Sequence, residues 1–251
     1  MNKKLFSAAS LMMSVLAGCM FTSCLEGNEE DNEGIGQAYF TVDGNASQII
    51  LHQDGGGTII PTMSSFKSPA DFLKNERYIL QYKYRVGNIS ADATTITGAE
   101  IIAGEVLDVR TPLSAEQAAE RHLSDPDSIF AVSSVTHTWA YRGYLNVLSK
   151  AYYSMKDNKG IFPTYNLMYD PADVQQNRVK FTLLYNRHSA KSTTVVNSPS
   201  VYEMATSFRL SELSNLVPGS DSIEMTINVQ GVDKPSVIKV GRADLQKANY
   251  K

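Results

Sequence analysis

Apolar positions along this chain recur mostly at a spacing of two, the period of a strand with one face buried. The clearest run is Glu76 to Val86, where Tyr78, Leu80, Tyr82 and Tyr84 are interleaved with Arg77, Ile79, Gln81, Lys83 and Arg85. Aromatic residues on one side of a period-two pattern predict a half-buried strand. Gln37 to Val42, Ser47 to His52, Thr58-Ile59-Ile60 and Ile101 to Val109 read the same way, with Gly104 predicted as a bulge in the last. Asp54-Gly55-Gly56-Gly57 joins two of these runs and predicts a hairpin turn. A phosphate-cradling loop would need a helix after the glycines, and β-branched residues and Pro61 follow instead. The strands of residues 37–110 together suit a small closed barrel.

The pattern changes once. Ser114 with Gln117 three residues on is a capping box, Ala115 to Leu123 are strong helix formers, and Asp125-Pro126 ends the run. Beyond this predicted helix the strand period returns in Ile129 to Tyr141, Tyr144 to Met155, Thr164 to Tyr169, Arg178 to Tyr185, Met204 to Leu210, Ser222 to Gln230 and Ser236 to Val240. Short strands separated by polar turns predict an antiparallel β-sandwich. The chain is therefore expected to be all-β, a small barrel followed by an antiparallel sandwich with one short connecting helix.

The N-terminus breaks the pattern in another way. Two lysines in Met1 to Lys4 precede a mostly apolar run from Leu5 to Ala17, then small residues and a cysteine. That order is a secretory signal peptide, and the run is too short to span a bilayer. Leu16-Ala17-Gly18-Cys19 resembles the bacterial lipobox, and Phe21-Thr22-Ser23-Cys24 resembles a looser version found in Bacteroidota lipoproteins. Each buried acyl methylene contributes about 0.8 kcal/mol, so two or three chains on one cysteine anchor stably. Cys24 is favoured as the lipidated residue because an acidic stretch, Glu26 to Asp31, follows it as in surface-export signals; Cys19 is the alternative. The polar, glycine-punctuated stretch up to Gly36 reads as a flexible tether. The protein is expected at the outer membrane, on the cell surface or alternatively on the periplasmic face.

Several short segments, in order, resemble the NigD-like lipoproteins of Bacteroidales. They are Thr22-Ser23-Cys24-Leu25-Glu26, Leu51-His52-Gln53-Asp54-Gly55-Gly56, Glu76-Arg77-Tyr78-Ile79-Leu80-Gln81-Tyr82, Asp127-Ser128-Ile129, Trp139, and Tyr144-Leu145-Asn146-Val147. The resemblance implies an OB-like barrel joined to a C-terminal β-sandwich. It carries no catalytic residues to this chain. The expected organisation is a lipoprotein signal peptide over 1–23, an acidic flexible tether over 24–36, an OB-like barrel over 37–111, a helical connector over 112–126 and a β-sandwich over 127–251.

Charge and composition narrow the chemistry. The net charge of −3 becomes −5 after residues 1–23 are removed, and zero from Gly34 onward. A neutral body lacks the cationic surplus that phosphate backbones require. Tyr78, Tyr82 and Tyr84 sit on the strand face opposite Lys83 and Arg85, so they cannot act together on a nucleic acid, which is not an expected partner. Both cysteines lie at the N-terminus, so the body has no disulfide, cysteine nucleophile or Cys-based metal site. His52, His122, His137 and His188 fall in no paired-ligand spacing. No GxSxG elbow occurs, and Asp125 and Asp127 flank Pro126 as turn residues rather than as a glycosidase pair. No cofactor, metal or enzymatic activity is expected.

What remains is a non-enzymatic binding or interaction module at the envelope, with a protein, peptide or glycan as ligand. The alternatives are an envelope hydrolase with a fold-assembled site and a structural component of a surface complex. Trp139, Tyr141, Arg142 and Tyr144 form the densest aromatic and basic cluster outside strand 77–86 and are the candidate binding patch.

Overall fold

The computed structural model describes residues 32–123, 134–152, 154–156, 159–161, 164–175, 177–186, 201–211, 213, 217, 221–229 and 235–245. Five strands form the first half: β1 (Glu33–Asn45), β2 (Gln48–Gln53), β3 (Thr58–Pro61), β4 (Arg77–Arg85) and β5 (Thr95–Val106). They close into a barrel in the order β1-β2-β3-β5-β4, antiparallel except for the parallel pair β3 and β5. This is the OB-like closure, which leaves few strand edges unpaired. Phe40, Ile49, Leu51, Ile59, Leu80, Tyr82 and Ile96 fill its interior. Between β3 and β4 a single helical turn, α1 (Pro69–Phe72), lays Phe72 flat on Tyr78 with ring centres 4.2 Å apart.

The second half begins with β6 (Asp108–Arg110), β7 (Leu113–Ser114) and α2 (Ala115–Glu120), which carries the Ser114–Gln117 capping box foreseen from sequence. Then come β8 (Ser134–Tyr141), β9 (Tyr144–Tyr152), a small hairpin of β10 (Ser154–Lys156) and β11 (Lys159–Ile161), β12 (Thr164–Tyr169), β13 (Arg178–Asn186), β14 (Val201–Arg209), β15 (Ser222–Val229), β16 (Ser236–Gly241) and α3 (Arg242–Leu245). Two sheets, β16-β15-β13-β12-β7 and β6-β14-β9-β8, face each other. Their alternating inward residues, among them Leu145, Val147, Leu167, Phe181, Phe208, Met225 and Ile227, make one core. The fold is thus the expected all-β barrel and sandwich.

Four expectations need correction. First, β1 begins at Glu33, so residues 33–36 belong to the barrel rather than to the tether. Gly34 and Gly36 lie across from Tyr84 and Tyr82 in register, and a Cβ on either would come within 2.5 Å of the opposing ring. Glycines that read as flexibility are clearance for two tyrosines. Second, the bulge on β5 is at Ile102, where the register passes from Gln81–Ala103 to Tyr82–Ile101. Gly104 instead makes room for Leu80, whose side chain would meet its Cβ at 2.4 Å. Third, the sandwich is not wholly antiparallel: β13 and β15 run parallel because the intervening β14 crosses to the other sheet, and β6 and β7 join β14 and β12 in parallel. Fourth, β6 was expected within the barrel and β7 within the connector. Each is instead an edge strand of one sandwich sheet. Cys19, Cys24, Asp125, Asp127 and His188 lie outside the described residues.

Candidate functional site

Alternation on β4 places Arg77 on the outer wall of the barrel, where a charged residue is ordinarily solvated. It is fully buried instead. The outer face of sheet β6-β14-β9-β8 covers it, and the two surfaces meet through a polar network rather than an apolar seam.

Arg77 opens β4 and directs its guanidinium at Asp54, the first residue of the glycine turn after β2. Two N–H groups donate to the Asp54 carboxylate at 2.8 and 2.6 Å, a further bond goes to the Thr41 hydroxyl at 2.8 Å, and another to the Asn146 side-chain oxygen at 3.0 Å. The Asp54 side chain is 8% exposed. It also accepts from the Trp139 indole N–H at 2.9 Å and from the Asn146 amide at 3.3 Å. Ser207 donates to the Asn146 oxygen at 2.7 Å. The guanidinium carbon of Arg77 lies 4.9 Å from the centre of the Tyr144 ring, within cation–π range.

Beside this cluster the Tyr144 hydroxyl donates to Glu76 at 2.7 Å, and Arg209 reaches both oxygens of the same carboxylate at 3.2 Å. Burial, with the adjacent Glu76 carboxylate, pushes the Tyr144 hydroxyl far above its ordinary pKa. The barrel therefore contributes Thr41, Asp54, Glu76 and Arg77. The sandwich contributes Trp139, Tyr144, Asn146, Ser207 and Arg209. An ion pair with this many supporting bonds has its charges neutralised and its geometry fixed. The Asp54 carboxylate is engaged by four donor groups, which makes it a structural acceptor rather than a nucleophile or base.

An aromatic row borders the network. Tyr39 from β1 packs against Trp139 at 4.9 Å between ring centres, and the exposed His137 stacks on Trp139 at 5.3 Å. Burial and the carboxylates of Glu203 and Asp54 push the Tyr39 hydroxyl up to about 12. On the other side, Arg142 and Gly143 form the tight turn between β8 and β9 with φ of 41° and 88°. The Arg142 guanidinium lies over the Tyr141 ring at 5.4 Å. The Gly143 N–H donates to the Asp244 carbonyl at 2.7 Å, which ties the turn to α3.

The four residues singled out from sequence thus divide. Tyr144 is 1% exposed and belongs to the junction. Trp139 is half-buried, with its N–H turned inward to Asp54 and its ring in the aromatic row. Tyr141 and Arg142 are half-buried at the turn. Asp54, the neighbouring Glu76 and Arg77, and Asn146 were not recognised as a constellation, since the three places lie tens of residues apart. The available signal was their distribution: four of the segments carrying the family resemblance, those at 51–56, 76–82, 139 and 144–147, bring one or two polar members each to this junction.

Of the histidines, His52 is half-buried 3.8 Å from Asp43, and burial lowers its pKa. His122 is exposed with a left-handed φ of 52°. Among the described residues no group of three or more His, Cys, Asp or Glu side chains is placed to hold a metal, and no helix is long and apolar enough to cross a membrane.

No protein-family model matches the chain, and no curated protein does. Solved structures do. A NigD-like immunity protein from Bacteroides caccae superposes with a TM-score of 0.52 at 18% identity, covering 82% of this chain and 92% of that one. A protein from Bacteroides fragilis described as a lipoprotein gives 0.55 at 12% identity, covering 86% and 100%. A toxin-related protein from Parabacteroides distasonis gives 0.53 at 19% identity, covering 84% and 96%. The likeness is one of fold, and it extends over more than four fifths of this chain in each case.

Proposed function

We propose that this chain is an exported lipoprotein, held at the outer membrane through Cys24, that works by binding a protein or peptide partner rather than by catalysis. The observation that carries the reading is the junction. The hydrogen bonds that the buried Asp54 and Arg77 of the barrel share with Trp139 and Asn146 of the sandwich fix the two halves together, so that the buried Tyr39 of one half backs Trp139 and His137 of the other in a single aromatic row. Rigid aromatic side chains at a fixed spacing are the usual anchors of protein interfaces, because they bury large areas at little cost in conformational entropy. The lipobox segments support the anchor. The fold shared with a NigD-like immunity protein and with a protein described as a lipoprotein supports an envelope role with a protein partner.

Two experiments test this. Lipid labelling of Cys24→Ala and Cys19→Ala variants, with protease treatment of intact cells, reports the anchor and its face. Cys24→Ala is expected to abolish labelling, and the protease is expected to remove the body from intact cells. Photo-crosslinking in living cells with the probe at His137 or Tyr141 reports the binding face, with exposed Lys180 on β13 as the control position. A discrete adduct from the junction positions alone is expected. Equal adducts from Lys180, or none at any position, would remove the basis of the reading.

A further inference from the structure

A cleft of about 380 Å³ lies where the connector meets the sandwich, away from the aromatic row. Its polar lining comes from Arg110 on β6, Thr111, Gln117 and Arg121 from α2 and the turn after it, and Asn166 on β12. Gln117 and Arg121 are four residues apart, the spacing that puts two side chains on one face of a helical turn.

The hydrogen bonds already made decide what each group has left to offer. The Gln117 side-chain oxygen accepts the Ser114 backbone N–H in the capping box, which leaves its amide nitrogen. The Asn166 side-chain oxygen accepts from Arg110 at 3.1 Å, which again leaves the amide nitrogen. Arg110 is held from one side by Asp108 and from the other by Asn166, so its guanidinium is fixed with N–H groups to spare. Arg121 is exposed and has no carboxylate partner among the described residues. Aside from the Thr111 hydroxyl, which can donate or accept, these side chains present donors only.

We infer that this cleft is a binding site for a small carboxylate-bearing ligand, held between the fixed Arg110 and the free Arg121. A carboxylate is acceptor-only and planar, so it matches both the donor set and the fork geometry of a guanidinium. The volume is at the lower end of the range for small-molecule sites, suited to a single acidic sugar or an acidic dipeptide.

The full-length lipoprotein in detergent is titrated calorimetrically with galacturonate and with the dipeptide Glu-Glu, each beside its uncharged counterpart, galactose or Gln-Gln. Saturable binding by an acidic probe is expected and none by its uncharged counterpart. Which acidic probe binds identifies the source of the carboxylate. Arg121→Gln alters an exposed residue and is expected to weaken binding by about ten-fold or more, the effect of losing one charged hydrogen bond. Gln117→Glu keeps the capping box, since glutamate serves equally at that position. It also sets a carboxylate in the donor ring, and is expected to abolish binding while the melting temperature holds. Binding by neither acidic probe, equal binding by the uncharged ones, or unchanged affinity in both variants would overturn the assignment.

Discussion

Removing the Asp54 carboxylate should cost far more than the loss of a surface ion pair. Asp54→Ala leaves Arg77, whose side chain is fully buried, as an uncompensated charge. It also strips a partner from the Trp139 indole and the Asn146 amide. Breaking one side of a buried pair typically costs about 3–5 kcal/mol. At roughly 2–4 °C per kcal/mol for a chain of this size, the melting temperature should fall by about 6–20 °C. Replacing both partners together, as in Asp54→Leu with Arg77→Met, removes the stranded charge and should recover much of the loss. Trp139→Phe deletes one donor only and should cost about 1.5–3 kcal/mol, as expected for a bond to a charged group. Because the Asp54 carboxylate also accepts the bonds from Trp139 and Asn146 that cross between the two halves, Asp54→Ala should also split a single denaturation curve into two, one each for barrel and sandwich. Urea unfolding followed by Trp139 fluorescence and by far-ultraviolet circular dichroism tests this. A loss below about 1 kcal/mol, the range of exposed pairs, would refute a structural role for the network. So would strict additivity of the two single changes in the double variant.

Other consequences follow from single features. Gly36→Ala drives a methyl group into the Tyr82 ring and should destabilise the barrel by about 1–3 kcal/mol, measured by urea midpoint, whereas a true tether would be indifferent. Ser114→Ala removes the helix cap and should cost about 1 kcal/mol in the same assay. Burial lowers the pKa of His52, so the folded state binds its proton less readily than the unfolded state. Its contribution is fully present above the ordinary histidine pKa and is lost as the pH falls through the lowered one; His52→Gln should flatten that part of the stability profile. The Tyr39 hydroxyl is raised to about 12, so its contribution is present below the ordinary tyrosine pKa and fades as the pH climbs toward 12, which ultraviolet titration against Tyr39→Phe would register.

The fold was largely legible from the period of the pattern because each strand buries one face. Tyr78, Leu80, Tyr82 and Tyr84 point inward as their spacing required, and so do Val179, Phe181 and Leu183 on β13. What failed was the assumption that the other face meets water. Arg77 obeys the alternation and lies on the outer face of the barrel, yet a second sheet covers that face. Binary patterning has no term for one module covering another with polar groups. The start of β1 was missed for a related reason: Gly34 and Gly36 carry no side chain to mark a face, and the rings that fill their space belong to β4. The parallel strands were missed because the period is the same whichever way a neighbour runs.

The route of the chain between the halves bears on how the protein acts. Barrel strand β5 ends at Val106 and sandwich strand β6 starts at Asp108, so a single residue, Leu107, crosses the boundary. Leu107 is buried, and its N–H donates to the Arg77 carbonyl at 3.0 Å, on the residue at the centre of the polar network. A linker of one buried, hydrogen-bonded residue has no slack to swing on, and β6 and β7 then commit the chain to both sandwich sheets within eight positions. The covalent and noncovalent connections therefore enforce the same geometry. A partner that lands on Trp139 and His137, backed by the buried Tyr39, meets groups already in place and spends little of its binding free energy on ordering them. Lengthening the crossing should separate the two effects. Insertion of Gly-Ser after Leu107 leaves each module's own core intact but lets Arg77 and Asp54 drift from Asn146 and Trp139. If the spacing is set by the network, the insertion should cost little, because the bonds from Asp54 and Arg77 to Trp139 and Asn146 hold the halves in register. If the short linker sets it, the two unfolding transitions should separate in the insertion variant even with Asp54 and Arg77 unchanged.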